Sequence, residues 1–292
     1  MTETEWLADR FEAQRPRLRS VAYRMLGSLT EADDAVQDAW LRASRAGAEE
    51  VDNLDGWLTT IVARVCLNML RTRNRRREEI FEEHLPDPIV SPYGERQPEE
   101  EALLADSVGL ALLVVLDTLS PAERLAFVLH DMFELPFDEI APMIDRTPEA
   151  TRQLASRARR RVRGAEVPAP DADVARQRRV VDAFLRAARG GDFDGLVAVL
   201  DPDVVLREDL SAKRPVDLFR GATAVASRAR AAAFPGAEVR PVVVNGSPGA
   251  VVILRGRPFA VLAFTVRGDR IVEIGAIAGP ERVRRIAAAV LD

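Results

Sequence analysis

The chain has 292 residues, 47% of them hydrophobic and 30% charged. That is the balance of an ordinary globular protein of two or three domains, at roughly 100–200 residues each, and not of a disordered chain. The longest unbroken apolar run, Leu110–Leu116, is far short of the ~20 residues a membrane-spanning helix needs, and a single cysteine, Cys66, with only two histidines, His84 and His130, leaves no disulfide framework and no cysteine zinc cluster. No metal or other cofactor is expected. The polar, acidic start Met1–Glu5 reads as no secretory signal, so a reducing cytoplasm is the expected compartment and no membrane partner is expected.

The net charge of −5 averages over strong local differences. Trp57–Arg77 carries six arginines and no acid. Arg146–Arg163 carries seven arginines against one glutamate, whereas Glu78–Ser107 between them has ten acids and one arginine. Two basic segments flanking an acidic one keep nucleic acid in play as a partner, because local charge governs phosphate contact.

In chain order, residues 1–77 read as helical. Apolar residues recur at three and four in Leu18, Val21, Ala22, Met25 and Leu26, and again in Ala35, Val36, Ala39 and Trp40. Thr30, with acids at Glu31, Asp33 and Asp34, predicts a helix start there. Leu54–Leu70 continues as a helix on Trp57, Leu58, Ile61, Val62, Val65, Leu67 and Leu70. Residues 78–101 place Pro86, Pro88, Pro92 and Pro98 among acids, which predicts a linker. Helical patterning resumes at Leu103–Leu119, Pro121–Leu135, Phe137–Ile144 and Thr147–Val162. Ser120 caps a helix whose first residue is Pro121, Asp145-Arg146 forms a turn, and Thr147 caps a second helix with Pro148 at its first position. That is helix-turn-helix spacing. Leu154, Ala158 and Val162 are expected to face the core of this unit, leaving Arg152, Gln153, Ser156, Arg157 and Arg160 on other faces. There arginine suits guanine or phosphate and glutamine suits adenine.

Residues 165–171, with Pro168 and Pro170, predict a second linker. Helices follow at Val174–Arg189 and Phe193–Leu200, an extended stretch near Val204–Leu206, a helix at Ala222–Ala233, and four strands at Glu238–Val244, Ala250–Leu254, Phe259–Val266 and Arg270–Ala276. Arg267-Gly268-Asp269 reads as a tight hairpin. Phe259–Val266, apolar on both faces, is expected to be a central strand. A last helix is expected at Glu281–Leu291.

The helix-turn-helix motifs Leu119–Arg124, Phe137–Ala141 and Thr147–Arg152 resemble region 4 of bacterial sigma factors of the extracytoplasmic-function class. Tyr23–Ser28 followed by Glu31–Leu41 resembles region 2 of the same family. The resemblance implies that region 2 docks on the clamp coiled coil of core RNA polymerase through Asp33, Asp34, Gln37, Asp38, Trp40 and Leu41. It implies that region 4 meets the polymerase flap and reads the promoter −35 element through Thr147, Glu149, Thr151, Arg152, Gln153, Ser156, Arg157 and Arg160. Gly56–Arg71 resembles the part that melts and reads the −10 element, assigned here to Trp57, Arg64, Asn68, Arg71, Arg73 and Arg75. The family commonly has aspartate where Asn68 stands, and Trp57 fits core packing as well as base stacking. The acidic linker suits either a mimic of nucleic-acid charge or a solvated tether.

The helix–helix–strand–helix–four-strand order of residues 172–292 resembles a SnoaL-like domain, the cone shared with nuclear transport factor two, found appended to one group of these sigma factors. The expected fold is therefore multidomain. Two all-α sigma domains (a region 2 bundle at 1–77, a region 4 helix-turn-helix at 102–164) precede an α+β SnoaL/NTF2-like cone with a curved antiparallel sheet at 172–292. The group's glycine-rich motif after the first strand is replaced by Arg207–Lys213, and its late asparagine-proline motif by Ala278–Arg282. After His130 the chain has no His, Cys, Tyr or Trp, so only carboxylates such as Glu208, Asp209, Asp217 and Glu273 are available as bases. No catalysis is expected. The function expected is promoter recognition and initiation with core polymerase, modulated by an appended domain that carries +5 over residues 172–292 and docks within the chain. The alternative is an enzyme or small-molecule-sensing SnoaL domain, with a ligand of its own, fused to a DNA-binding regulator.

Overall fold

The computed structural model describes residues 3–48, 51–80, 84–93, 109–165, 173–210 and 215–291. The chain forms two compact units: residues 1–80 with 112–167, and residues 81–111 with 168–292. Of the linker expected at 165–171, residues 166–171 lie outside the described residues.

The first unit is helical. Helix α1 (Glu3–Leu26) ends where Gly27 turns into the left-handed region at φ 75°, and α2 (Leu29–Ala46) starts at once. Its N-cap is Ser28, whose hydroxyl accepts the Glu31 N–H, and not Thr30. The tight glycine turn brings the cap two residues forward of the acidic cluster that suggested the later start. Helix α3 (Leu54–Ile80) packs across both. Leu18, Val21 and Met25 of α1, Ala32, Ala35, Val36 and Ala39 of α2, and Leu58, Val62, Val65 and Cys66 of α3 are all buried. Each large aliphatic among them contributes about 1.5–3 kcal/mol by leaving water.

The helix-turn-helix begins with α4 (Leu110–Asp117). Helix α5 (Pro121–Phe127) starts in a reciprocal capping box between Ser120 and Glu123. It runs on into a π-helical turn, Val128–Met132. The short α6 (Phe137–Ile140) and a 3-10 turn (Ala141–Met143) lead to Asp145, at φ 55°, and then to α7 (Pro148–Gly164), capped by the Thr147 hydroxyl. The buried side of α7 is Thr151, Ala155 and Ala158, while Leu154 is only half-buried. The stripe expected on Leu154 is thus rotated: close approach to α5 favours the small Ala155, which a leucine would overfill.

Helix-turn-helix and bundle are joined by a polar network. Asp117 receives Arg73 of α3 and Arg124 of α5, each at 3.0 Å. Arg124 is 1% exposed and also donates through Nε to the Arg24 carbonyl at 3.1 Å. Burial draws Arg24 itself down to about 10, against a small opposing effect of Tyr23, and its guanidinium lies 5.2 Å from the Phe133 ring.

The second unit is a seven-stranded sheet with helices against it. Helices α8 (Val174–Gly190) and α9 (Phe193–Val199) lead into β2 (Leu200–Asp209), β3 (Asp217–Arg220) and α10 (Ala222–Ala231). Then come β4 (Glu238–Val244), β5 (Ser247–Leu254), β6 (Arg257–Arg267) and β7 (Arg270–Ala278), with α11 (Pro280–Ile286) and α12 (Ala288–Leu291) closing the chain. The strand order is β1-β4-β5-β6-β7-β2-β3, where β1 is Val90–Pro92. The apolar strand β6 is central, as its two-sided pattern predicts. Val244 pairs with Ser247 across Asn245-Gly246, both left-handed, the geometry of a type I′ hairpin. The sheet is mixed and not purely antiparallel, because β2 runs parallel to β7. These strands are joined by α10 and three hairpins, so no tight turn forces them to oppose. Val181 and Phe184 of α8 pack with Leu196, Leu206, Val225, Phe264 and Ile274 in its core. Helices packed on a sheet are the α+β architecture expected of residues 172–292.

Strand β1 comes from the acidic linker, and it is a structural departure from a free tether. Val90, Ser91 and Pro92 pair with Val244, Val243 and Val242, covering an edge that would otherwise be open to other strands. Pro92 is tolerated because it lies on the sheet's edge. No helix among the described residues is long and apolar enough to cross a membrane.

Candidate nucleic-acid interface

Helix geometry, at 100° per residue, sorts the site residues expected from the sequence. On α2, Asp34, Gln37, Asp38 and Leu41 stand at i, i+3, i+4 and i+7, one stripe of the surface. Asp34 and Gln37 are exposed, Leu41 is 44% exposed, and Asp38 pairs with Arg42 at 2.8 Å. Asp33 and Trp40 lie on a different side. Asp33 is tied to Arg19, and the half-buried Trp40 ring packs on Phe11 at 5.1 Å. The stripe mixes carboxylates with an unpartnered leucine, a surface suited to a protein partner.

On α3, Trp57, Arg64, Asn68, Arg71 and Arg75 fall at i, i+7, i+11, i+14 and i+18 and share one face. Arg64, Asn68, Arg71 and Arg75 are exposed and Trp57 is half-buried. Arg73 is not on that face. It is turned inward, donating to the Leu26 carbonyl at 2.9 Å and pairing with Glu31 and Asp117. An arginine run in sequence cannot show this, since two residues along a helix is 200° of rotation. One Arg64 N–H donates to the Pro142 carbonyl of the helix-turn-helix at 3.1 Å.

On α7, Glu149, Arg152, Gln153, Ser156 and Arg160 form one exposed stripe. Thr147 is exposed and caps the helix. Thr151 is fully buried, its hydroxyl donating to the Thr147 carbonyl, so it packs inside instead of facing solvent. Arg157 leans aside to Glu123, at 3.3 Å, and Arg161 reaches the same carboxylate at 2.9 Å. Burial opposes the charge on Glu123, but the Ser120 hydroxyl and N–H, with Arg161 and Arg157, outweigh it and hold the carboxyl below the usual glutamate range. The two helices thus present a basic face each: arginines with a tryptophan and an amide on α3, arginines with glutamine and serine on α7. These are the residue types that grip phosphates and read bases.

In the second unit Glu208 and Asp217 stand opposite each other across β2 and β3, whereas Asp209 and Glu273 are engaged elsewhere. Glu208 pairs with Arg228 at 2.8 Å and Glu273 with Arg207 at 3.0 Å. Burial pushes the Glu208 carboxyl up despite Arg228. Asp209, 1% exposed at its side chain, instead holds the linker: it accepts the Leu85 N–H at 2.9 Å, pairs with Arg282, and lies 3.3 Å from His84 Nδ1. Arg282 also pairs with Asp87 at 2.7 Å and donates to the Leu85 carbonyl, while Arg285 reaches Asp87 at 3.1 Å. Burial works against the charge of Arg282, but Asp87 and Asp209 more than compensate and raise its affinity for its proton. Asn245 closes both backbone groups of Ile89, and Arg178 lies 3.6 Å over the Tyr93 ring. The sequence reading missed these partners. The signal was present in the alternation Pro86-Asp87-Pro88, which prolines hold extended, but a partner 85 or more residues away leaves no local trace.

A helical bundle and a helix-turn-helix, each with a basic face, are the architecture of a nucleic-acid-binding protein. Comparison with known proteins agrees. Residues 10–76 match the family described as Sigma-70 region 2, and residues 109–162 match Sigma-70, region 4. The chain is 35% identical to the ECF RNA polymerase sigma factor SigJ of Mycobacterium tuberculosis, over 93% of this chain and 91% of that one. It is 32% identical to the probable ECF RNA polymerase sigma factor SigI of the same organism, over 96% of each. The crystal structure of Mycobacterium tuberculosis SigJ superimposes with a TM-score of 0.74 at 32% identity, covering 94% of this chain and 97% of that one. The chain belongs to the extracytoplasmic-function RNA polymerase sigma factors.

Proposed function

We propose that the α2 stripe docks on core RNA polymerase, that the α3 face reads the −10 element and the α7 stripe the −35 element, and that the C-terminal unit modulates initiation by holding the linker between regions 2 and 4. The observation that carries the last point is the linker itself, built into the second unit as an edge strand and anchored through Asp87, Asp209, Arg282 and Asn245. The two promoter elements lie about 25 base pairs apart, roughly 85 Å along B-form DNA. Regions 2 and 4, in contact here through Arg64 and Arg73, have to separate before both elements are read at once. The linker sets how far they part, and the C-terminal unit withholds residues 84–93 from it. Glu208, Asp209 and Glu273 are each paired with an arginine, Arg228, Arg282 and Arg207, which supports a regulatory and not a catalytic role. Run-off transcription with core polymerase tests this by comparing the full chain with Asp87→Ala, Arg282→Ala and a chain ending at Gly164. Activity shifted at least severalfold, in the same direction for all three, is the expected result. Equal activity across salt concentrations refutes modulation through the linker.

A further inference from the structure

Arginines of α7 differ in how their guanidinium groups are held. Arg157 and Arg161 are paired with Glu123 and Arg159 with Asp131 at 2.6 Å. An ion pair uses the N–H edge of a guanidinium, the same edge that a guanine or phosphate would need. Arg152 is held otherwise. Its guanidinium carbon stands 5.4 Å from the centre of the Phe137 ring, and among the described residues it makes no ion pair. Contact with an aromatic face engages the plane of the guanidinium and leaves its donor edge open.

The platform is itself supported. Phe137 is the first residue of α6 and is half-buried. Its ring stacks on the His130 imidazole, with centroids 3.9 Å apart and planes 29° from parallel. His130 lies in the π-helical turn, and its Nδ1 is 2.9 Å from the Leu135 carbonyl. A carbonyl oxygen only accepts, so Nδ1 carries the proton and the ring orientation is set. A backbone carbonyl thus fixes an imidazole, the imidazole backs a phenyl ring, and the ring carries an arginine near the start of the second helix of the motif. Residues there are the ones that reach base edges when such a helix enters the major groove.

We infer that Phe137 is a positioning residue for promoter recognition: it orients Arg152 before DNA arrives, so that a bidentate contact forms without first freezing a long, mobile side chain. The inference rests on the reading of α7 as the −35 helix. A cation–aromatic contact of this kind corresponds to about two- to tenfold in binding.

The test uses the full chain with core polymerase and a set of promoters carrying every base at each −35 position. Arg152→Ala is expected to weaken selection and to relax preference at one position. Phe137→Leu is expected to relax the same position, with about two- to tenfold weaker binding; Phe137→Tyr, which keeps the ring, is expected to restore it. In the Arg152→Ala background, Phe137→Leu is expected to change binding less than twofold. A Phe137→Leu effect that is undiminished without Arg152, that spreads evenly over all positions, or that tyrosine fails to rescue overturns the inference and leaves the −35 assignment standing. If Arg152→Ala itself leaves selection intact, the assignment of this residue to the −35 element falls, and the inference with it.

Discussion

Asp117 is the hinge of the contact between bundle and helix-turn-helix, and Asp117→Ala tests how much that contact stabilises the first unit. The carboxylate is 16% exposed and faces two guanidinium groups, one of them, Arg124, 1% exposed and the other, Arg73, 25%. Removing one member of a buried pair leaves a charge with no counterion and costs about 3–5 kcal/mol. Arg73 retains Glu31 and partial access to water, and Arg124 retains the Arg24 carbonyl, so about 2–4 kcal/mol is expected. Asp117→Asn keeps an oxygen acceptor and is expected to lose roughly half of that. Arg73→Ala is expected to cost less than either, because Asp117 keeps its buried partner. All three tryptophans, Trp6, Trp40 and Trp57, belong to the first unit, so urea unfolding followed by tryptophan emission reports on that unit alone. With a slope of about 1.5–3 kcal/mol per molar, a 3 kcal/mol loss moves the midpoint by roughly 1–2 M. A shift below about 0.3 M for Asp117→Ala refutes the reasoning, and shows that water screens the network.

Three further outcomes are expected. Asp34→Arg combined with Gln37→Arg, on the exposed α2 stripe, is expected to weaken co-purification with core polymerase while the unfolding free energy from urea melts stays within about 0.5 kcal/mol of the parent; unchanged core affinity would remove the stripe from the interface. Glu123→Gln is expected to destabilise the first unit by about 1–2 kcal/mol at neutral pH, through the weakened capping box. Because the folded state holds this carboxyl below its ordinary range, its contribution is present above the unfolded value and is lost as pH falls through the lower folded one. The difference between parent and variant in urea melts is therefore expected to shrink in acid, and a difference that persists unchanged would count against the ionised cap. Gly249→Ala is expected to cost about 1–3 kcal/mol in thermal melts of the second unit, since an added Cβ would stand 2.7 Å from the Leu262 carbonyl oxygen and 2.4 Å from Val244 Cγ2; a neutral result would mean that β4 and β6 yield at this point.

Local chemistry was enough to place most elements and the family. Ser120-Pro121 and Thr147-Pro148 mark helix starts because a hydroxyl cap and a proline without an N–H suit the same two adjoining positions, and both starts stand where their residues put them. The apolar run of β6 announces a central strand, and Arg267-Gly268-Asp269 announces the hairpin into β7, where Arg267 pairs with Arg270 and Gly268 takes a positive φ of 60°. Rotation around a helix and partners distant in sequence are another matter. Arg73 and Arg75 look alike in the sequence, yet one is turned inward to Asp117 and the other outward to solvent, a difference set by the neighbours that α3 packs against. Likewise the acidic stretch around Asp87 is locally a linker, and it becomes an edge strand only because Arg282, Asp209 and Asn245 lie where the folded sheet brings them. Capping, turn geometry and periodicity act over a few residues and can be read directly from the chain, whereas ion pairs and strand pairing join residues up to 198 positions apart and are decided only when the sheet and the bundle have formed.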